Sequence, residues 1–334
     1  MLGVALGPFN AQGSPHQRSL LVFGTIVELT IREPEALAER AFSQAESTLR
    51  RMHANWKPWG SGSLAQINHR LASGEWVEAP PSLVELIATA RPLAQQSDYH
   101  FDPGIGHLVA LWGFHEPPDN ATRQPPSEAA LRDWRADPAS LADLRVQDQR
   151  LKAQHPDLML DFGGFAKGVA LDDIIEAWQG LGIENALINA GGDLRGLGTG
   201  PGRSWRIGIR HPRGDGVLAA VSLHDGEAAF TSGDYERHFD FKDKHYHHLL
   251  DSRSARPARG LLSVTVLDDH AARADAAATA LFVAGPEDWP RIARRLTVDA
   301  VLVVQSDGAI VMTPSMAERV DVLTDAPTEV RTLR

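Results

Sequence analysis

The chain has 334 residues, of which 33 are Lys or Arg, 43 are Asp or Glu, 43% are apolar and none is cysteine. At roughly 150 residues per domain this suffices for two domains or one large one with insertions. A net charge of −10 without a long basic stretch argues against a nucleic-acid binder, because phosphate contacts need clustered Lys and Arg, and the missing thiols leave no disulfide, thiolate nucleophile, thiolate zinc site or lipid-bearing cysteine in these residues.

Residues 1–17 lack the basic and apolar regions of an intact signal peptide. Residues 1–19 are therefore expected to be a flexible leader or the remnant of one, ahead of a single domain over 20–334. The longest apolar-looking run, 20–31, is interrupted by Gly24, Thr25, Glu28 and Thr30. It is shorter than the roughly 18 residues a membrane span requires and reads as a strand. Pro34-Glu35 opens a helical pattern through Leu37, Ala41, Ala45, Leu49 and Met52, with the proline in the first turn, where its missing N–H is not needed. After a loop over 56–63 a second helix starts at Pro81, with Leu83, Leu86, Ile87, Ala90 and Ala94 on one face. Residues 101–114 follow neither period, and the proline-flanked stretch after them marks an insertion or linker over 115–127.

A short polar helix over 127–134 leads to strands at 144–151 and 158–162, then Gly163-Gly164 and a helix over 165–179 that Gly180 ends. Its inward face is assigned to Val169, Ile174, Ile175 and Trp178. From residue 185 the pattern is mostly β, with strands at 186–189, 205–210, 218–223, 227–231 and 261–267. A helix over 271–283 and a closing helix–strand–strand unit follow. Strands and helices without regular βαβ alternation predict an α+β fold, a mixed or antiparallel sheet packed with helices.

Three places carry chemistry. In Asp161-Phe162-Gly163-Gly164-Phe165-Ala166-Lys167-Gly168 a strand runs through glycines into a helix start, whose N–H groups and dipole suit a phosphate. The same residues also suit a plain strand–helix turn, as do Gly191-Gly192 after the next strand. Asp275 and Thr279 stand at i and i+4 among alanines, two hard oxygen donors of the kind Mg²⁺ takes. A solvated Asp beside a Thr bonded to its own helix is the other reading. His238, His245, His247 and His248 cluster around Tyr246, an imidazole-rich tract that suggests Zn²⁺ or Ni²⁺, the other reading being one functional His among exposed ones. In a strand over 246–251, His247 and His248 face opposite ways and cannot serve one inward site. Trp56, Trp59, Phe101 and Trp112 suit either ring stacking or the core.

Taken together these segments resemble the ApbE family of Mg²⁺-dependent FAD:protein FMN transferases over residues 23–285. The pieces occur in order: Gly24-Thr25, Trp56-Lys57-Pro58 with Ile67-Asn68, and Phe101-Asp102-Pro103-Gly104-Ile105-Gly106 with Leu111-Trp112-Gly113-Phe114. Segments 160–168, 189–193, 205–212, 231–237 and 248–251, and Asp275 through Thr279, complete the set. The resemblance implies an ApbE-like, T-fold-like sheet and a reaction in which FAD is split at its pyrophosphate, FMN is joined to a Thr or Ser hydroxyl of a target protein, and AMP leaves. It implies an FAD site lined by Phe23, Trp56, His100, Phe101, Asp102, Asp161, Lys167 and Leu250. Mg²⁺ would lie among the Gly164 carbonyl, the Asp275 carboxylate and the Thr279 hydroxyl; His248 would assist proton transfer, and Asp275 would count as catalytic through its place in the metal site.

The implied partner is an acceptor protein, a membrane redox subunit being one candidate, and the implied compartment is the periplasm, with the cytoplasm as alternative. This chain departs from the family in having Gly62-Ser63 for Ser-Glu and Asp251-Ser252-Arg253-Ser254-Ala255 for Asp-Pro-Arg-Thr-Gly. Two rival functions are FAD binding or storage without transfer, and an FAD pyrophosphatase giving FMN and AMP with water as acceptor.

Overall fold

The computed structural model describes residues 14–116, 123–200 and 203–333. Most of the expected leader, and residues 117–122 of the expected insertion, lie outside them. The run 20–31 is a hairpin rather than one strand: His16–Val22 and Thr25–Ile31 pair antiparallel around Phe23 and Gly24. Both turn residues have positive φ, 53° and 75°, which a continuous strand does not allow. The first strand already includes residues 16–19, which the sequence assigns to the leader.

This hairpin begins a nine-stranded sheet in the spatial order His16–Val22, Thr25–Ile31, Ala186–Ala190, Asp193–Leu197, Ala228–Gly233, Leu261–Asp268, Ala300–Gln305, Ile310–Met312 and Thr328–Val330. Every neighbouring pair is antiparallel except the last, which is parallel. The α+β class with a mixed sheet is what the sequence predicts.

Eight helices, α1 (Glu35–Trp56), α2 (Ser63–Leu71), α3 (Pro81–Gln96), α4 (Gly106–Leu111), α5 (Glu128–Ala136), α6 (Ala166–Gly180), α7 (Ala271–Arg295) and α8 (Pro314–Ala317), are found among the described residues. Alternate side chains of the central strands enter different cores. Ala186, Ile188 and Ala190 join the helices in the larger core. Leu187 faces a smaller core closed by the strands Arg206–Arg210, Val217–Ser222 and Val320–Val322. Burial on both faces explains why Leu261–Asp268 is buried along its whole length.

Several local readings change. Residues 158–162 form no strand, only a single bridge from Met159 to Ile105. Gly180 stays helical, and the chain turns at Gly182 with φ 85°. α2 falls where the sequence predicts only loop and coil. Val169 of α6 is half-buried, and Ala170 and Leu171 take the inward positions beside Ile174, Ile175 and Trp178. α7 is kinked at Gly285 (φ 79°), immediately before Pro286, so a helix ending near 283 is close to its first half.

α6 and α7 cap one another. The Asp275 carboxylate on α7 accepts the Gly168 N–H at 3.0 Å, and Asp172 on α6 accepts the N–H groups of Ala271 and Ala272 at 2.8 and 3.0 Å. A Cβ at Gly168 would lie 2.4 Å from the Ala271 carbonyl oxygen, so only glycine permits this approach. Gly168→Ala is expected to destabilise the protein by about 1–3 kcal/mol, the usual cost of overpacking. Urea unfolding reads the change, and an unchanged midpoint would show that the helices separate freely.

Candidate active site

One cavity of about 520 Å³ lies within the roughly 300–1,000 Å³ typical of small-molecule sites. Its wall brings together Phe23, His100, Phe101, Asp102, Asp161, Gly164, Lys167, His248, Leu250, Asp275 and Thr279. These come from the first hairpin, the segment between α3 and α4, the turn before α6 and its first turn, the segment after the 244–247 strand, and α7. Of the residues assigned from sequence, only Trp56 stands elsewhere. α1 continues through Trp56, which therefore falls one turn after Met52 on the buried face and lines a separate cleft with Met52, Leu86 and Val169.

The cation and the carboxylates are interlocked. Lys167, in the first turn of α6, forms an ion pair with buried Asp193, which also accepts the Thr231 N–H at 3.1 Å. Burial pulls the Lys167 ammonium pKa down, but Asp193 and Asp275 outweigh it and raise it above the ordinary value. Burial raises the Asp275 carboxyl pKa, against the pull of Lys167, and Asp193 adds to the rise. One turn along α7 the Thr279 hydroxyl stands 3.3 Å from the Ser232 hydroxyl. A Cβ on Gly164 would lie 3.0 Å from Thr279 Oγ1, so the glycine brings its backbone against that hydroxyl. The buried Asp275 carboxylate and the Thr279 hydroxyl, with the Gly164 backbone against the latter, thus offer hard oxygen donors of the kind that suits Mg²⁺.

The glycine turn differs from its sequence reading in one respect. Phe165 and Ala166 donate their N–H groups to the Phe162 carbonyl, and Gly168 donates to Asp275, so these groups of the helix start are already engaged. Positive charge at the cavity comes instead from Lys167, Arg210 and Arg237. Asp161 accepts the Gly163 N–H at 2.8 Å; burial raises its pKa while the neighbouring Arg237 opposes the rise.

Arg210, Asp193, Tyr235, Glu236 and Arg237 line the cavity but were not assigned from sequence as site residues. The Arg210 guanidinium lies 5.1 Å over the Tyr235 ring, and burial raises the Tyr235 hydroxyl pKa. Gly233 makes room for that ring, since a Cβ there would meet it at 2.6 Å. For Tyr235, Glu236 and Arg237 the available signal was the run of ionisable residues at 234–237, two residues after a predicted strand.

The two adjacent histidines diverge, although no continuous strand carries them: the Lys244–His247 strand ends at His247, and Leu250–Asp251 pairs separately with Arg256–Pro257. Buried His247 donates to the Ala258 carbonyl at 2.9 Å and meets Phe282 edge-on. His248 faces the cavity. Its Nδ1 lies 3.2 Å from the Arg237 carbonyl, which can only accept, so Nδ1 carries the proton and Nε2 has the free lone pair. Burial and then Arg237 push the His248 pKa well below the ordinary value, leaving the ring neutral at pH 7.

His100 donates from Nδ1 to the Ser97 carbonyl at 2.8 Å and accepts from Arg253 at Nε2 at 3.1 Å; burial, its largest influence, lowers its pKa. Phe101 packs on Phe165, with centroids 5.5 Å apart, whereas Trp112 is a core residue bonded to the Ala255 carbonyl. Asp102 Oδ1 accepts the N–H groups of Gly104 and Leu141, both at 2.8 Å, while Oδ2 is buried without a partner. Burial pushes its carboxyl pKa up to about 6. A folded-state pKa above the unfolded one favours folding below the unfolded value of 3.8, and this contribution is lost as pH rises through 6. Asp102→Asn removes the titration, so wild type is expected to lose about 3 kcal/mol more than the variant between pH 3.5 and 7. Parallel pH profiles in denaturant unfolding would contradict this.

Comparison with known proteins gives a consistent assignment. The ApbE family profile matches residues 23–302. An FAD:protein FMN transferase of Rhodobacter capsulatus is 43% identical over 302 residues, covering 90% of this chain and 57% of that protein, so the chain spans little more than half of that relative's length. Among solved structures, the ApbE protein of Thermotoga maritima superposes with a TM-score of 0.83 at 30% identity, covering 91% of this chain and 99% of that one. The flavinyl transferase ApbE of Pseudomonas stutzeri, apo form, gives 0.79 at 29% identity, covering 91% and 96%.

Proposed function

The chain belongs to the ApbE family, and from that membership we propose that it is an FAD:protein FMN transferase. FAD is the donor, a Thr or Ser hydroxyl of a target protein is the acceptor, and AMP is released. The observation that carries the reading is the convergence of Lys167, Asp193, Asp275, Thr279 and the Gly164 backbone on one wall of a cavity that also presents neutral His248.

In this reading Asp275, Thr279 and the Gly164 carbonyl would hold Mg²⁺. When held there, the ion would supply charge neutralisation at the pyrophosphate. Lys167, Arg210 and Arg237 attract and orient the same dianionic group, and the Lys167–Asp193 pair fixes the ammonium in place. His248 Nε2 takes the proton of the acceptor hydroxyl as its oxygen attacks the FMN phosphorus. The bond from that phosphorus to the bridging oxygen breaks, and the oxygen leaves on AMP. Phe23, Phe101 and Leu250 supply apolar wall for the flavin end.

Incubation of the protein with FAD, Mg²⁺ and a Thr-containing acceptor peptide tests the proposal. A peptide heavier by FMN, with one AMP for each modified peptide, supports transfer. FMN and AMP without a modified peptide would identify a pyrophosphatase, and unchanged FAD a binding protein. We place the enzyme in the periplasm by resemblance to exported members of the family, and cell fractionation distinguishes this from the cytoplasm. Among the described residues no helix is long and apolar enough to cross a membrane.

A further inference from the structure

The hairpin formed by His238–Phe241 and Lys244–His247 carries a second cluster, outside the flavin cavity. Lys242 and Asp243 both have positive φ, 49° and 59°, which makes a two-residue turn that fixes the strand register. That register sets His238 opposite His247, Phe239 opposite Tyr246 and Asp240 opposite His245. Phe239 and Tyr246 face the core and pack on Trp112. Strand alternation therefore puts His238, Asp240, His245 and His247 together on the other face.

Hydrogen bonds to backbone carbonyls select the tautomer of each ring, because a carbonyl can only accept. His238 donates from Nδ1 to the Tyr235 carbonyl at 3.2 Å, and His245 donates from Nε2 to the Asp234 carbonyl at 3.0 Å. In the neutral rings this leaves the lone pairs on His238 Nε2 and His245 Nδ1. The second of these stands 2.9 Å from Asp240 Oδ1. A lone pair and a carboxylate oxygen that close require a positive centre, either a second proton on the imidazole or a cation. Ligand atoms of His238, Asp240 and His245 lie within 4.8 Å of one another, and the two ring centroids are 4.6 Å apart. His247 is buried, bonded to the Ala258 carbonyl and outside this converging set.

We propose that His238, Asp240 and His245 form a binding site for a divalent transition metal of the zinc class, with water completing the shell. Imidazole nitrogens favour zinc over magnesium, which prefers an all-oxygen shell. An imidazole that ligates through one nitrogen and donates the other N–H to a backbone carbonyl is the usual outer-shell arrangement of histidine metal sites, and both rings are already set this way. The proposal does not depend on the flavin reading, since none of the three residues lines the flavin cavity.

The test uses the full chain without an affinity tag, treated with chelator and titrated with Zn²⁺ by calorimetry in excess Mg²⁺, which occupies the oxygen site. A single zinc per chain is expected, with affinity reduced about tenfold or more in each of His238→Gln and His245→Gln, a loss of about 1.4 kcal/mol. Cobalt should give tetrahedral absorption bands that both variants lose, and circular dichroism establishes that the variants are folded. Zinc affinity unchanged in the double variant, or no zinc bound by wild type at about 0.1 mM, would overturn the proposal and assign the short contact to an imidazolium–carboxylate pair.

Discussion

Asp275→Asn is expected to lower Mg²⁺-dependent FMN transfer by about 10³-fold or more while leaving the protein folded. Asp275 has an observed contact in the fold and, in the proposed reaction, a metal-binding role, and this substitution separates the two. Its carboxylate accepts the Gly168 N–H at the start of α6, and it is the charged donor beside Thr279 and Gly164. Asn keeps an acceptor for Gly168 but removes the charge, whereas Ala leaves that buried N–H unpaired, at a further cost of about 1–3 kcal/mol in stability. The loss in rate follows from charge stabilisation by a bound metal ion, several kcal/mol at roughly tenfold per 1.4 kcal/mol. Thr279→Val should have a smaller effect, since it removes a neutral donor whose other contact is Ser232. Transfer rates measured across a Mg²⁺ titration decide the matter: near-wild-type activity of the Asn variant at limiting Mg²⁺ would remove Asp275 from the metal site.

Sequence spacing was informative where the site is local. Asp275 and Thr279 lie one helical turn apart, and Gly163-Gly164 precede a helix, so their proximity within each segment needs no knowledge of the fold. Grouping these two segments with each other and with His248 rested on family resemblance. It was not legible from periodicity, because strands that pair in the sheet are far apart in the chain: Thr25–Ile31 pairs with Ala186–Ala190, and Asp193–Leu197 with Ala228–Gly233, with the intervening segments packed elsewhere. That arrangement brings Asp193, Thr231, Ser232 and Lys167 to one wall. Arg210 reaches the cavity from a strand of the smaller three-stranded sheet, a placement no local pattern encodes.

Trp56 stands apart from the cavity for the opposite reason. Its motif matched the family, yet the helix before it runs four residues past Met52 and turns the indole onto the buried face. Residues 158–162 have the apolar composition of a strand, but Leu160 is held by both side-chain atoms of Asn68, at 2.9 Å each. A side-chain amide there replaces the neighbouring strand that composition leads one to expect.

His248→Ala is expected to retain FAD binding while slowing transfer about 10²–10⁴-fold, the range for loss of a general base. The lone pair on Nε2 is available because Nδ1 faces the Arg237 carbonyl, and the depressed pKa keeps the ring unprotonated at neutral pH. The acid limb of the rate profile in wild type should accordingly fall below the ordinary histidine pKa of 6.5, so activity persists as pH drops through that value and disappears only at lower pH. The variant should lack that limb. His247 is an unsuitable alanine control, because it is buried and bonded to the Ala258 carbonyl, so its removal would damage the same segment. His248→Gln is the better comparison, since it preserves polar volume but has no basic nitrogen and should be as slow as alanine. A Gln variant as active as wild type, with the same acid limb, would transfer the proton-accepting role to another group in the cavity, for which Glu236, whose carboxyl pKa is raised by burial, is the nearest in chemistry.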